Sequence, residues 1–295
     1  MKALRIRHST ALPVREISAL TTRPGESGVE LMAVSDEEFA VITAELDAEL
    51  RPAATQRHDL SQVLPASILQ GEGGSGFEGI AADGERTVFV LQEEQARILV
   101  LSADMKALLH TIALAVPEAQ PRYGAAWRDV PNKRGEGLAL MTGGHVLIAK
   151  QDQPVCLIEF GPAGDAPRWI DADTLLAPGA AFERPDGEAS ELVPLADWPL
   201  GESTGEALPS INDVAVGDDR RVYLLSSKGQ TIARLEPRLD PGERASADGE
   251  WKIDGELPGG EDAHPEGLAL LGGSNATVAV DSKVAGDNVV VGALD

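Results

Sequence analysis

One short unit recurs along the chain and limits the folds open to it. Phe77-Glu78-Gly79-Ile80-Ala81, Gly135-Glu136-Gly137-Leu138-Ala139, Ile211-Asn212-Asp213-Val214-Ala215 and Pro265-Glu266-Gly267-Leu268-Ala269 share one pattern. Each precedes a β-branched apolar run, such as Thr87-Val88-Phe89-Val90-Leu91 or Ala276-Thr277-Val278-Ala279-Val280. A weaker copy is Ser27-Gly28-Val29-Glu30-Leu31, followed by Phe39-Ala40-Val41-Ile42-Thr43. Short apolar runs bounded by Gly, Asp and Asn predict strands and not helices. Third strands follow in the units, as in Ala96-Arg97-Ile98-Leu99-Val100-Leu101, and fourth ones, as in Leu108-Leu109-His110-Thr111-Ile112.

Antiparallel strands repeating in this way predict an all-β β-propeller, each unit one blade. The intervals from Ser27 to Glu78, Glu136, Asn212 and Glu266 are 51, 58, 76 and 54 residues in turn. From Glu266 through the C-terminus and round to Ser27 is 56 residues, again one blade. The expectation is a single domain over residues 1–295 with five blades, the last completed by an N-terminal strand drawn from residues 3–20. The long interval predicts an insertion within 165–206; the alternative is a sixth, degenerate blade hidden there.

The first strand of a blade lines the central channel, so aligned positions form a ring. Here the ring is Ser27, Glu78, Glu136, Asn212 and Glu266, and the next residue is Gly in every copy except at Asp213. Carboxylates converging on one axis resist joint ionisation without a counter-charge. The ring holds oxygen donors with neither thiolate nor imidazole, the donor set of Ca²⁺ or another hard divalent cation. The alternative is that these Glu residues accept backbone hydrogen bonds from adjacent blades and hold nothing.

Charge and cysteine content narrow the function. The net charge of −23 argues against nucleic acid and against anionic membrane surfaces as partners. A single Cys excludes a disulfide framework and any multi-thiolate metal site. No apolar run is long enough for a spanning helix, and Met1-Lys2-Ala3-Leu4-Arg5 opens no signal peptide, so a cytoplasmic protein is expected.

Asn132-Lys133-Arg134-Gly135-Glu136-Gly137-Leu138-Ala139-Leu140 is similar to the N-x-G-x-E-G-L-A-L segment of the bacterial "esterase-like activity of phytase" propellers. Pro265-Glu266-Gly267-Leu268-Ala269-Leu270 resembles that family's last blade, and Ser27-Gly28-Val29 with Val34-Ser35-Asp36 its first. SdiA-regulated propellers share the signature. The ring order also resembles the hub of the calcium-activated nucleotidases (apyrases), except at Asn212, where that family has Ser. Gluconolactonase-type propellers likewise hold a divalent metal at the hub. These resemblances imply a metal-centred channel with Ser27, Glu78, Glu136 and Glu266 as ligands.

Metal-dependent hydrolysis of a phosphorylated or carboxylic ester or a lactone is the expected chemistry if the chain is an enzyme. Arg134, Lys150, Lys228 and Lys283 fall where a blade's upper loops begin or end and are candidates for binding an anionic small molecule at the channel mouth. The alternative is that they are solvated turn cations balancing an acidic surface. His264 is the candidate general base. The 121–130 segment, rich in aromatics and Arg, is either a rim loop or a loop anchored by a packed Trp. Cys156, in an apolar strand, reads as a core residue. The rival function is a non-catalytic scaffold with a structural ion, binding a protein or sugar at its rim.

Overall fold

The computed structural model describes residues 2–26, 28–69, 74–185, 187–260, 263–281 and 286–295. It is all-β, with only short helical turns between strands. The N-terminal strand is β1 (Lys2–Thr10). An antiparallel run follows: β2 (Ile17–Pro24), β3 (Val29–Ser35), β4 (Ala40–Leu46) and β5 (Pro52–Asp59). The next is β6 (Phe77–Ala82), β7 (Val88–Gln92), β8 (Arg97–Leu101) and β9 (Leu108–Leu114). The third is β10 (Gly137–Leu140), β11 (Val146–Lys150) and β12 (Cys156–Gly161), then, beyond the two-residue β13 (Ile170–Asp171), β14 (Ala189–Pro199). In the fourth, β15 (Asp213–Val216), β16 (Val222–Ser226) and β17 (Thr231–Leu235) lead past β18 (Arg238–Leu239) to β19 (Ala247–Asp254). The last is β20 (His264–Leu270), β21 (Asn275–Asp281) and β22 (Val289–Leu294), and β1 pairs antiparallel with β22 as its fourth strand.

Tight turns between strands are set by local chemistry. Between β6 and β7, the Asp83 carboxylate accepts the amides of Glu85 and Thr87, and Arg86 takes a positive φ of 66°. An acidic side chain capping its own turn makes the hairpin self-contained.

Packing arranges the runs in a circle. The first strands touch in order: β2 on β6, β6 on β10, β10 on β15, β15 on β20, and β20 back on β2. Each apolar cluster is shared by consecutive sheets. Val90 and Leu99 meet Met32 and Val41; Leu91 and Ile98 meet Val146 and Ile158; Leu147 and Leu157 meet Val214 and Leu224. Leu225 and Ile232 meet Leu268 and Val278, and Ala279 and Val289 meet Leu31 and Ile42. Every sheet is therefore covered on both faces, which explains why its middle strands are continuous apolar runs and not alternating ones.

The outer strands join neighbours into larger sheets. β9 pairs in parallel with β14, and β1 with β19, making two eight-stranded sheets beside the four-stranded β2–β5 sheet. The expected splice of the termini uses residues 2–10, whereas 17–20 open β2. The insertion lies between β12 and β14 and crosses the molecule. Leu176 N–H bonds Leu140 O, Phe182 N–H bonds the Asp83 carboxylate, and β13 pairs with β18. Its start is pinned by His145, which bridges Glu159 (2.6 Å) and Asp165 (3.0 Å). Among the described residues, 165–206 contains no further four-stranded sheet; β14 supplies the third run's own last strand.

Candidate cation site at the channel mouth

The recurring glycines let the inner strands close up. A Cβ at Gly137 would lie 2.6 Å from Val214 N, at Gly79 3.2 Å from Leu138 N, and at Gly267 3.0 Å from Leu20 N. Each would crowd the backbone of the neighbouring inner strand, most severely at Gly137, so glycine eases the approach at these three positions. At the exception, Asp213, the side chain is used instead. Its buried carboxylate accepts Leu268 N–H (2.7 Å), Leu20 N–H (3.3 Å) and its neighbour Val214 N–H (2.7 Å). One acidic group thereby ties β15 to β20 and β2 across the hub.

This register identifies the ring. Glu78, Glu136, Asn212 and Glu266 each precede the close-contact position of their own strand. In the first run that strand is β2, so the equivalent residue is Ser18, before Ala19 and Leu20. Val29 begins the second strand of that run, and Ser27 itself lies outside the described residues. Sequence reasoning passed over Ser18 because Ser18-Ala19-Leu20 carries neither the Glu nor the Gly of the 78, 136 and 266 copies. The apolar run 17–20 was the only available signal.

Ser18, Glu78, Glu136 and Glu266 line one cavity of about 380 Å³. Glu93, Glu94, Asp36, Glu16 and Asp281 extend its wall, and among the described lining residues Lys133 is the single cation. Asn212 stands behind, donating to Glu266 Oε2 at 2.6 Å while its Oδ1 accepts from Ser210 (2.8 Å) and Ser227 N–H (2.9 Å). Ser18 Oγ accepts Asp36 N–H at 3.1 Å. Glu93 accepts Gly135 N–H at 3.1 Å. Glu136 is 7% exposed, and among the described residues its carboxylate has no hydrogen-bond partner.

Burial and mutual repulsion raise the pKa values of these carboxyls. Burial, then Glu93, Asp36 and Glu266, push Glu78 well above the carboxylate range. Burial, then Glu78, Glu93 and Glu266, do the same to Glu136. Burial lifts Glu93 to about 8 and Glu266 to about 7, despite the hydrogen bonds each accepts. Such a cluster either keeps protons or takes up a cation. Its donors are oxygens, the chemistry of a hard ion. Among the described residues, no three of His, Cys, Asp and Glu are grouped closely enough to hold a metal directly.

The described candidate anion-binding cations are engaged with groups of the protein itself. Arg134 donates through Nε to Trp127 O (2.5 Å) and through its terminal nitrogen to Glu94 O. Lys150 is fully buried and donates to the backbone carbonyls of Lys133 and Asp152, 2.5 Å each. Lys228, exposed, lies 3.8 Å from Asp152. Lys283 lies outside the described residues. His264 begins β20, is exposed, and is not among the lining residues.

In the 121–130 segment, Trp127 packs on Phe160 with ring centroids 5.5 Å apart, which makes it a core anchor. Cys156 is buried, and burial pushes its thiol up to about 12. At the other end of the inner strands a second cavity of about 360 Å³ is lined by Leu20, Leu138, Val214 and Leu268, with Leu176 to Gly179 of the insertion over it.

Among solved structures, the chain is similar to glutaminyl cyclase of Myxococcus xanthus, with 13% identity, full coverage of both chains and a TM-score of 0.52. It is also similar to regucalcin, a calcium-binding protein from Agrobacterium tumefaciens, with 8% identity, 100% and 96% coverage and a TM-score of 0.51. These are β-propeller proteins, and the likeness places this chain in that fold. No family model matches the sequence, and neither does any curated protein. Among the described residues, no helix is long and apolar enough to cross a membrane.

Proposed function

We propose that the runs are five blades of one propeller over residues 1–295 and that its channel mouth binds a divalent cation of the Ca²⁺ type. The observation that supports this is Glu136: buried, without a hydrogen-bond partner among the described residues, and on the wall of a cavity it shares with Glu78 and Glu266. A buried charge without a partner is costly, and a cation in the cavity offsets that cost for several carboxylates together. Glu78, Glu136 and Glu266 would supply charged oxygens, Ser18 a neutral one, and Asn212 would orient Glu266. Because no three acids among the described residues are grouped for direct ligation, a hydrated ion suits the wall best. A regucalcin-like protein named as calcium-binding agrees with this reading.

A bound divalent ion supplies Lewis-acid polarisation, and the open cavity leaves room for a substrate beside it. Hydrolysis of a carboxylic ester or lactone is the activity we propose. A phosphorylated ester is disfavoured, because Arg134 and Lys150 are turned onto backbone carbonyls and the wall is acidic.

Calcium titration of chelator-treated protein by calorimetry tests the site. Wild type should bind, and Glu136→Gln should bind at least tenfold more weakly. No heat from wild type overturns the proposal. A screen of p-nitrophenyl esters and lactones with and without Ca²⁺ then separates an enzyme from a scaffold.

A further inference from the structure

The cavity at the other end of the inner strands shares no lining residue with the acidic one. The strands close up at Gly79, Gly137, Asp213 and Gly267, one residue past the ring. Beyond that level, Leu20, Leu138, Val214 and Leu268 form the floor of about 360 Å³ of open space. Ala82, Leu176, Val216 and Leu270, each half-buried, continue its wall. The insertion crosses this mouth as a strap fastened to three of the runs. Leu176 N–H bonds Leu140 O (3.0 Å), Gly84 N–H bonds Ala180 O (2.7 Å), and the Arg220 guanidinium donates to Leu175 O (2.5 Å).

Over the cavity the strap carries Ala177, Pro178 and Gly179, none of them long. It seats on a glycine, since a Cβ at Gly84 would strike the Gly179 backbone. A strap serving only to plug the mouth would put large apolar side chains into it; this one roofs the space and leaves it open. The charged residues of the lining have no free charge to offer inside. Arg23 is bound to Glu30 (2.5 Å) and to the carbonyls of Arg86 and Ala103 (2.9 Å each). Asp83 accepts the amides of Glu85, Thr87 and Phe182, and Asp218 is exposed. A charged ligand would lose its water there and gain no partner. Water against aliphatic walls is poorly bonded, and replacing it with an apolar group favours binding. Thr21 also lines the wall, and its hydroxyl has no hydrogen-bond partner among the described residues, so one polar group can be met. An apolar hollow with few polar groups is the usual form of a small-molecule site. The space has room for roughly a dozen non-hydrogen atoms, at about 30 Å³ for each water displaced.

We propose that this cavity binds an uncharged aliphatic small molecule bearing one hydroxyl or carbonyl, held under the strap of residues 176–179. The site is separate from the channel mouth and does not depend on a cation there.

The test is calorimetric titration of the full chain with 1-octanol, using octanoate and octylammonium as contrasting probes of the same chain length. Wild type should bind one equivalent of octanol, and both charged probes at least tenfold more weakly. Ala177→Trp fills the space from the strap and Val216→Phe from the wall, and each should weaken octanol at least tenfold. Circular dichroism and the urea midpoint check that both variants fold. If Val216→Phe does not fold, Ala177→Trp, a change on the strap, still reads the site. Octanol affinity in chelator and in added Ca²⁺ should agree within threefold. The proposal is overturned if wild type does not bind octanol, or if the folded variants bind it as wild type does, which would mean contact elsewhere on the surface. It is also overturned if either charged probe binds as tightly as octanol, or if octanol binding requires Ca²⁺, which would put the ligand at the acidic end.

Discussion

Glu93 offers the sharpest test of the electrostatics at the channel mouth. Burial raises its carboxyl from 4.5 to about 8. Between those values the folded protein keeps a proton that the unfolded chain has released. Stability contributed at that site is therefore full below about pH 4.5 and is lost as pH rises towards 8. At about 1.4 kcal/mol per pH unit, the interval amounts to roughly 5 kcal/mol. Glu93→Gln removes the charge while its amide oxygen can still accept Gly135 N–H. In chelator, urea unfolding should show variant and wild type alike at pH 5, within about 1 kcal/mol. At pH 8 the variant should be the more stable by a few kcal/mol. Removing the Glu93 charge also relieves the repulsion that raises Glu78 and Glu136, which adds to the variant's gain at pH 8 in the same direction. A difference that does not grow with pH refutes the reasoning. Adding cation at about a hundredfold its dissociation constant should restore roughly 2.7 kcal/mol to wild type at pH 8.

Asp213→Ala should leave buried amides at Leu20, Val214 and Leu268 without acceptors. At about 1–3 kcal/mol for each unmet group, urea unfolding should register a loss of roughly 3 kcal/mol or more, and Asp213→Asn a smaller one. A loss below about 1 kcal/mol would show that the side chain does not tie the hub. Cys156, with its thiol pushed up to about 12, should resist an aromatic disulfide reagent at pH 8 in the native protein and react fully in denaturant. Rapid native labelling would contradict its burial.

Much of the architecture is legible in local patterns. A strand covered on both faces needs an unbroken apolar run, a hairpin needs its turn residues, and a close inner strand needs glycine, so Gly79, Gly137 and Gly267 mark their strands in plain sequence. The same pattern located Glu78, Glu136 and Glu266, which share one cavity. Ser18 was not legible, because Ser18-Ala19-Leu20 has neither the Glu nor the Gly that mark three of the other copies, nor the spacing from a recognised copy. The cations were not legible either. Nothing near Lys150 in sequence says that its ammonium points at two carbonyls and not at a ligand. Asp213 looked like a lapse in a glycine pattern, and only β2 and β20, arriving from residues 193 and 55 positions away, make it a cross-hub acceptor.

Residue order along the chain dictated the repeat, most of the strands and the ring positions at Glu78, Glu136, Asn212 and Glu266, since these follow from periodicities of a few residues. Closure of the ring decided the rest. It set which acids share a cavity, which lose their water, and which of the scarce cations remain near enough to matter. Desolvation and charge repulsion depend on distance in space, and residues tens to hundreds of positions apart set that distance.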